Sequence, residues 1–436
     1  MLRRAPALAA IFLVAPVLPA LANTFTEVDR VELTELLDAE VINNGLLGQS
    51  LALAGETLLV AAPNKEDPDD SGSLDGSVYS FAIQSDGTLQ FEQHIRPVGR
   101  ATFGKTLAAD GDWAAIGESG DKVHLYQRSG SSWNAAQLLQ IAPDIPATPG
   151  ITVRNMFARL VLQGDLLAIG STNANVTVGE SVITNAGAVV LFRRGVNSVW
   201  SHEATLASPT PVGPSNFGGA LALSGNTLLV GASTDNDGID NRGRAFLFQR
   251  SAGQWAWEKT LIIPNGDPGA EFGWSVALDG DVAIVGCRTC SATPNAGSFF
   301  AFERNLGGSD NWGVRGEFAG SQGAGIDLFS SSLRLRGNSL MVGSHGNAAK
   351  RVYFFQRMFN GDWQEATILQ SEDLDGTRFG ISVDFVGGRA FAGAELFPNT
   401  SGSERWGAVH AWFSPAVESC GGNLDGIFCD GYEVLD

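Results

Sequence analysis

Three kinds of residue in this chain could do chemistry by their type and spacing: clustered carboxylates, paired cysteines and aromatic rings set apart from any repeat. The carboxylates cluster in Glu66-Asp67-Pro68-Asp69-Asp70, in Asp235-Asn236-Asp237-Gly238-Ile239-Asp240 and in Asp373-Leu374-Asp375-Gly376. Oxygens gathered on a turn could hold calcium, which takes about six to eight of them. Asp235, Asp237 and Asp240 are the best candidate ligands. The EF-hand register nevertheless fails: with Gly238 at its sixth position, the first falls on Ser233 and the twelfth on Arg244. Asp, Asn and Gly are also what solvated turns need, so the chain is expected to work without a cofactor.

Cys287 and Cys290 form a C-x-x-C with no second such pair and no histidine close by in sequence. In an oxidising compartment this reads as a local disulfide rather than half of a zinc site. Nearest-neighbour pairing then joins Cys420 to Cys429, one of the three pairings that four cysteines permit. For catalysis the residues are scattered. There is no G-x-S-x-G and no H-E-x-x-H, and His94, His124, His202, His345 and His410 lie far apart. No catalytic residue is assigned. Trp274 and Trp406 are the candidates for contact with a protein or glycan ligand.

These residues must be positioned by something, and the sequence supplies a repeat. An aromatic-small pair leads into an alternating strand, a Gly-centred turn and an apolar strand ending in Gly or Ala. The copies are LGQSLALAGETLLVAAP from Leu47, FGKTLAADGDWAAIGES from Phe103, FARLVLQGDLLAIGS from Phe157, FGGALALSGNTLLVGAS from Phe217, FGWSVALDGDVAIVGCR from Phe272, FSSSLRLRGNSLMVGSH from Phe329 and FGISVDFVGGRAFAGAE from Phe379. The turn glycines Gly55, Gly111, Gly164, Gly225, Gly280, Gly337 and Gly387 recur every 50 to 61 residues. A third strand follows in each copy, as in GRAFLFQR and RVYFFQR, and then a fourth, often opened by Trp, as in WSHEATLASP. Trp133, Trp200, Trp255, Trp312 and Trp363 keep the rhythm of the repeat and read as packing residues. Trp257, Trp274 and Trp406 fall outside it.

Alternating strands imply half-buried sheets, and runs such as Leu228–Val230 imply strands buried on both faces. Four-stranded sheets repeated radially make a propeller. The expected fold is therefore all-β: a seven-bladed β-propeller with four antiparallel strands per blade. The last copy stops at Phe413-Ser414-Pro415 without a fourth strand, and FTEVDRVELTEL from Phe25 resembles the missing one. The N-terminal strand should close the last blade and remove an exposed edge. A parallel β-helix is the competing architecture, but its coils are shorter than this period.

At these residues the chain resembles the FG-GAP repeats of integrin α-subunit propellers and their bacterial relatives. Phe217-Gly218, Phe272-Gly273 and Phe379-Gly380, paired with Val230-Gly231-Ala232 or Ala61-Ala62-Pro63, carry the likeness from Leu47 to Phe413. Phe157-Ala158 and Phe329-Ser330 depart from it. Some integrin repeats hold a D-x-D-x-D-G calcium loop between the first two strands. Here that place is a tight turn, as in Ser224-Gly225-Asn226 or Asp279-Gly280-Asp281, so the resemblance implies a metal-free variant.

The ends and the charge complete the expectation. Arg3-Arg4, the apolar run Ala5 to Leu18 and Ala20-Leu21-Ala22 read as a signal peptide cleaved after Ala22. No other segment has the length of a membrane span. The organisation is then a signal at 1–22, a propeller at 23–415 and an acidic cysteine-bearing tail at 416–436, either a sorting tag or a disulfide-pinned end. The formal charge of −19 disfavours nucleic acid. The resemblance implies a secreted or periplasmic monomeric scaffold for binding or adhesion, engaging a protein or glycan through loops at one face. An exported hydrolase or lyase with its site in the central channel is the alternative.

Overall fold

The computed structural model describes residues 25–32, 45–64, 66–67, 70–96, 102–119, 122–154, 159–236, 238, 241–263, 268–290, 296–322, 327–346, 350–370, 377–396, 398 and 406–415. Among these residues the chain forms seven four-stranded antiparallel sheets, an arrangement consistent with a β-propeller. Sheet 1 comprises Leu51–Ala54, Thr57–Ala62, Ser77–Ile83 and Leu89–Ile95. Sheet 2 comprises Thr106–Asp110, Trp113–Gly117, Lys122–Ser129 and Ser132–Gln140. Sheet 3 comprises Leu160–Gln163, Leu166–Ser171, Ala188–Arg194 and Trp200–Leu206. Sheet 4 comprises Ala220–Ser224, Thr227–Ala232, Arg244–Ser251 and Gln254–Leu261. Sheet 5 comprises Phe272–Asp279, Val282–Cys287, Ser298–Glu303 and Gly313–Phe318. Sheet 6 comprises Phe329–Arg336, Ser339–Ser344, Arg351–Arg357 and Trp363–Leu369. Sheet 7 takes three strands from the end of the chain, Phe379–Val386, Arg389–Ala394 and Ala408–Phe413. Its fourth is Thr26–Glu32 from the beginning, which pairs antiparallel with Ala408–Phe413 and sets Val31 opposite Val409.

Local chemistry explains each strand. The first two strands of every sheet are joined by two residues, the first a glycine with φ between 53° and 60°. That left-handed conformation is cheap only without a Cβ, and its twist matches the flanking strands. The second strands are apolar runs, and in all seven sheets every one of their residues is buried. They are the strands expected to pack on both faces. All seven pairs of third and fourth strands contain a register shift. Such bulges add right-handed twist where the sheet meets solvent.

Seven apolar clusters hold the sheets together, and each lies between two neighbours. They join sheets 1 and 2, 2 and 3, 3 and 4, 4 and 5, 5 and 6, 6 and 7, and 7 and 1. Phe103, Phe217, Phe272, Phe329 and Phe379 are fully buried at these joints, each stabilising the fold by about 2–3 kcal/mol of transfer free energy. The glycines of the repeat close the gap between sheets. A Cβ on Gly393 would fall 1.9 Å from the carbonyl oxygen of Gly48, and one on Gly343 would fall 2.0 Å from that of Gly380.

Three smaller elements depart from the expectation. Glu66–Asp67 and Asp70–Leu74 pair as a hairpin where the sequence reads as an open acidic loop. Asn175–Val178 and Ser181–Ile183 form a second hairpin that pairs with Ile151–Thr152. Pairing satisfies backbone groups that a projecting segment would otherwise leave to water. Ile141–Asp144 is a single helical turn.

Candidate functional site

Strand direction divides the molecule into two ends. Antiparallel order places every first-to-second and third-to-fourth turn at one end, the turn end. The second-to-third connections and the links between sheets lie at the other, the loop end.

At the loop end, residues 17 apart pair across the mouth of each of four sheets. Thr102 meets Ser119 hydroxyl to hydroxyl. Asn216 Nδ2 donates to Ser233 Oγ at 2.8 Å. Arg288 Nη2 lies 2.7 Å from Glu271 Oε2, and Arg378 Nη1 lies 2.7 Å from Glu395 Oε1. One frame thus presents hydroxyl, amide and charged pairs from sheet to sheet. Trp274, in the turn that opens the innermost strand of sheet 5, lies beneath the Arg288 guanidinium, whose central carbon is 3.4 Å from the ring centroid. Such stacking is favourable because the ring face is electron-rich. The Cys287–Cys290 disulfide flanks Arg288 and fixes the start of its loop. His345 occupies the corresponding place in sheet 6. Burial is the main cause that lowers its imidazole to a pKa of about 4, and the charges of Arg378 and Arg288 push the same way.

The other expected site residues have varied fates. Asp235 is fully buried, and its Oδ1 accepts a hydrogen bond from Arg244 Nε at 2.6 Å. Arg244 in turn reaches Thr210. A carboxylate compensated in this way already has its counter-charge. Asp237, Asp240, Cys420 and Cys429 lie outside the described residues, as do the signal segment and the tail. Among the described residues no group of three or more His, Cys, Asp or Glu side chains is placed to hold a metal ion. Trp406 sits at the loop end of sheet 7, partly buried against the cluster joining sheets 7 and 1. Its carbonyl accepts the Leu47 N–H at 2.9 Å. The structure places Trp274 and Trp406 at the same end but on different sheets. The repeating tryptophans bind sheets together. Trp255 Nε1 donates to Glu203 Oε1 at 2.7 Å, and Trp312 Nε1 donates to Glu258 Oε1 at 3.2 Å, each across a joint.

At the turn end lies a cavity of about 350 Å³, lined by residues of all seven innermost strands, among them Leu53, Asp110, Gln163, Leu223, Asp279 and Arg336. Its wall is tied by a series of hydrogen bonds from sheet to sheet. The N–H groups of Gly164, Gly225, Gly280 and Gly337 donate to Asp110, Gln163, Ser224 and Asp279 of the preceding sheet at 2.6, 2.8, 2.9 and 2.6 Å. Sheets 1 and 2 are joined by Leu107 N–H donating to Ser50 Oγ at 3.1 Å. The pattern changes at sheets 6, 7 and 1. Arg334 Nε lies 2.8 Å and Arg336 Nη2 3.1 Å from Asp384 Oδ1, and Asp384 Oδ2 accepts the Leu53 N–H at 3.3 Å. Sequence reasoning did not single out Arg334 and Arg336. A signal existed: counted back from the turn glycine, their repeat mates at the Arg334 position are Ala52, Ala108, Val161, Ala222 and Ala277, with Asp384 in the last sheet.

Fold and site together define an all-β protein of four-stranded antiparallel sheets whose end loops are free to vary. The family profile of the FG-GAP repeat matches residues 200–248 and again residues 255–302. Both matched segments open on a fourth strand and run on through three strands of the next sheet, the same offset that Thr26–Glu32 shows. Among curated proteins no relative matches the sequence.

Proposed function

We propose that this chain is a secreted, non-catalytic binding scaffold. In this reading it is a closed seven-bladed propeller that engages a protein or glycan at its loop end around Trp274 and Arg288. One observation carries the functional reading: the two ends are built under different constraints. All seven first-to-second turns are two residues long, whereas the second-to-third connections range from 118–121 to 172–187 and carry the varied pairs described above. A fixed scaffold presenting variable loops is the usual arrangement of a recognition surface. Ring closure is supported by the seven clusters in cyclic order and by the pairing of Thr26–Glu32 with Ala408–Phe413. Export is supported by the signal-like N-terminus and by the disulfide. No helix of the described residues is long and apolar enough to cross a membrane.

The test is a glycan and protein array probed with the mature chain, with and without chelator. Binding is expected to fall at least tenfold in Trp274→Ala and in Arg288→Ala. It should persist in Asn226→Asp at the turn end and be unchanged by chelator. Ligand capture that both loop-end substitutions leave intact would remove the reading, and loss on chelation would restore a metal to the acidic loops.

A further inference from the structure

We infer that the turn-end cavity is a binding site for a small solute bearing an oxyanion, carboxylate or phosphate, held by Arg334 and Arg336. The argument begins with the hydrogen-bond inventory of these side chains. Two guanidinium groups converge on a single oxygen, Asp384 Oδ1. Two cations therefore share one carboxylate. Arg334 Nε is turned to that oxygen at 2.8 Å, and Arg336 Nε is buried without an acceptor. Among the described residues no acceptor is assigned to the terminal nitrogens of Arg334 or to Arg336 Nη1. Buried donors without partners carry a desolvation cost that an incoming acceptor removes. Arginine is also the side chain whose planar fork fits carboxylate or phosphate with two parallel bonds.

The surroundings support the same assignment. Both side chains keep 37% of their surface accessible, while Asp384 keeps 4%. The guanidiniums face the cavity and their carboxylate does not. Burial lowers the Arg334 pKa, with the neighbouring Arg336 acting in the same sense against Asp384 and Asp110. The two guanidiniums thus offer an anion a partner on the sheet 6 side of a cavity that also carries Asp110 and Asp279. The volume of about 350 Å³ lies at the small end of ligand pockets. Asp110 and Asp279 line the same space, each with Oδ2 committed to a glycine N–H. Their remaining oxygens can accept from hydroxyl groups and Gln163 Nε2 can donate to one, so a hydroxylated acid fits better than a bare anion. This site lies at the end opposite Trp274 and stands whether or not the loop end binds a ligand.

The test is calorimetric titration of the full chain with glucuronate, citrate and inorganic phosphate, and with glucose as a neutral counterpart of glucuronate. At least one of the three anions is expected to bind saturably at one site, and glucose at least tenfold more weakly than that anion. Arg336→Gln, which leaves Asp384 paired with Arg334, should weaken the anion at least tenfold without changing circular dichroism. Asp384→Asn keeps an acceptor for Leu53 N–H while releasing both guanidiniums, and should tighten binding several-fold. A purely structural role for the arginines predicts no tightening in Asp384→Asn. Absence of saturable binding by all three anions, or equal affinities in the parent chain and Arg336→Gln, would overturn the inference.

Discussion

At the scale of single residues, environment decides what each polar side chain can do. Asp235 is fully enclosed and paired with Arg244, whereas Arg334 and Arg336 share one carboxylate and keep donors free for a ligand. The sequence pointed to the first and passed over the second. Clustered aspartates stand out in one dimension. An arginine on a strand looks solvated until the fold brings other strands to the same cavity. His345 gives a prediction at this scale. Its folded pKa of about 4 lies below the ordinary imidazole value, with burial as the main cause. The unfolded chain therefore takes up the proton first. The neutral state's contribution is complete above about pH 6.5 and is lost as pH falls towards 4, at a cost of up to about 3 kcal/mol. Glu203 and Glu303 are held below the usual carboxylate range. Burial alone would raise them, but donors including Arg193 for Glu203 and Arg315 for Glu303 more than offset it. Their loss begins only at lower pH. Urea denaturation between pH 7 and pH 5 should show a declining stability that His345→Asn flattens. An identical slope in that variant would rule out the histidine as its source.

At the scale of elements, the order of strands was legible because three signals agreed: the glycine turn, the apolar second strand and the tryptophan opening the fourth. The hairpins at Glu66–Asp67 with Asp70–Leu74 and at Asn175–Val178 with Ser181–Ile183 were not legible. They lie in the second-to-third connections of sheets 1 and 3, where no other copy reinforces a weak alternation. The paired glycines at four of the joints, Gly170 with Gly218, Gly231 with Gly273, Gly343 with Gly380 and Gly393 with Gly48, show why the repeat tolerates so little change there. Gly393→Ala would drive a Cβ to 1.9 Å from the Gly48 carbonyl oxygen, backbone that cannot swing aside. A Cβ on Gly55 meets nothing within 4 Å, and only its positive φ of 60° opposes alanine. Thermal melts should therefore show Gly393→Ala losing more than about 3 kcal/mol and Gly55→Ala about 1 kcal/mol. Equal losses would mean that the joint relaxes and that contact between sheets is looser than described.

At the scale of the whole molecule, the proposed ring would couple stability to function. Each joint between sheets combines an apolar cluster with at least one hydrogen bond at the turn end or a hydroxyl contact near the loop end. Between sheets 7 and 1, Ser382 Oγ donates to the Gly48 carbonyl at 2.6 Å and Leu53 N–H to Asp384 Oδ2 at 3.3 Å. In the proposed ring, closure keeps the loop end apart from the cavity at the turn end, which the seven first strands line. The offset by which a strand from the start of the chain completes its last sheet could be anticipated because the final copy lacked a fourth strand. The contents of the cavity could not, since they depend on which residues seven separate strands bring to one level.

The most direct test is hydrogen exchange on the mature chain, followed by mass spectrometry of the peptides covering Thr26–Glu32 and Ala408–Phe413. Amides of Ala408–Phe413 should exchange as slowly as those of Arg244–Ser251, a third strand flanked on both sides within sheet 4, and those of Thr26–Glu32 as slowly as those of Gln254–Leu261, the outermost strand of that sheet. Fast exchange of Thr26–Glu32, with Ala408–Phe413 protected only on the side facing Arg389–Ala394, would mean that the ring is open.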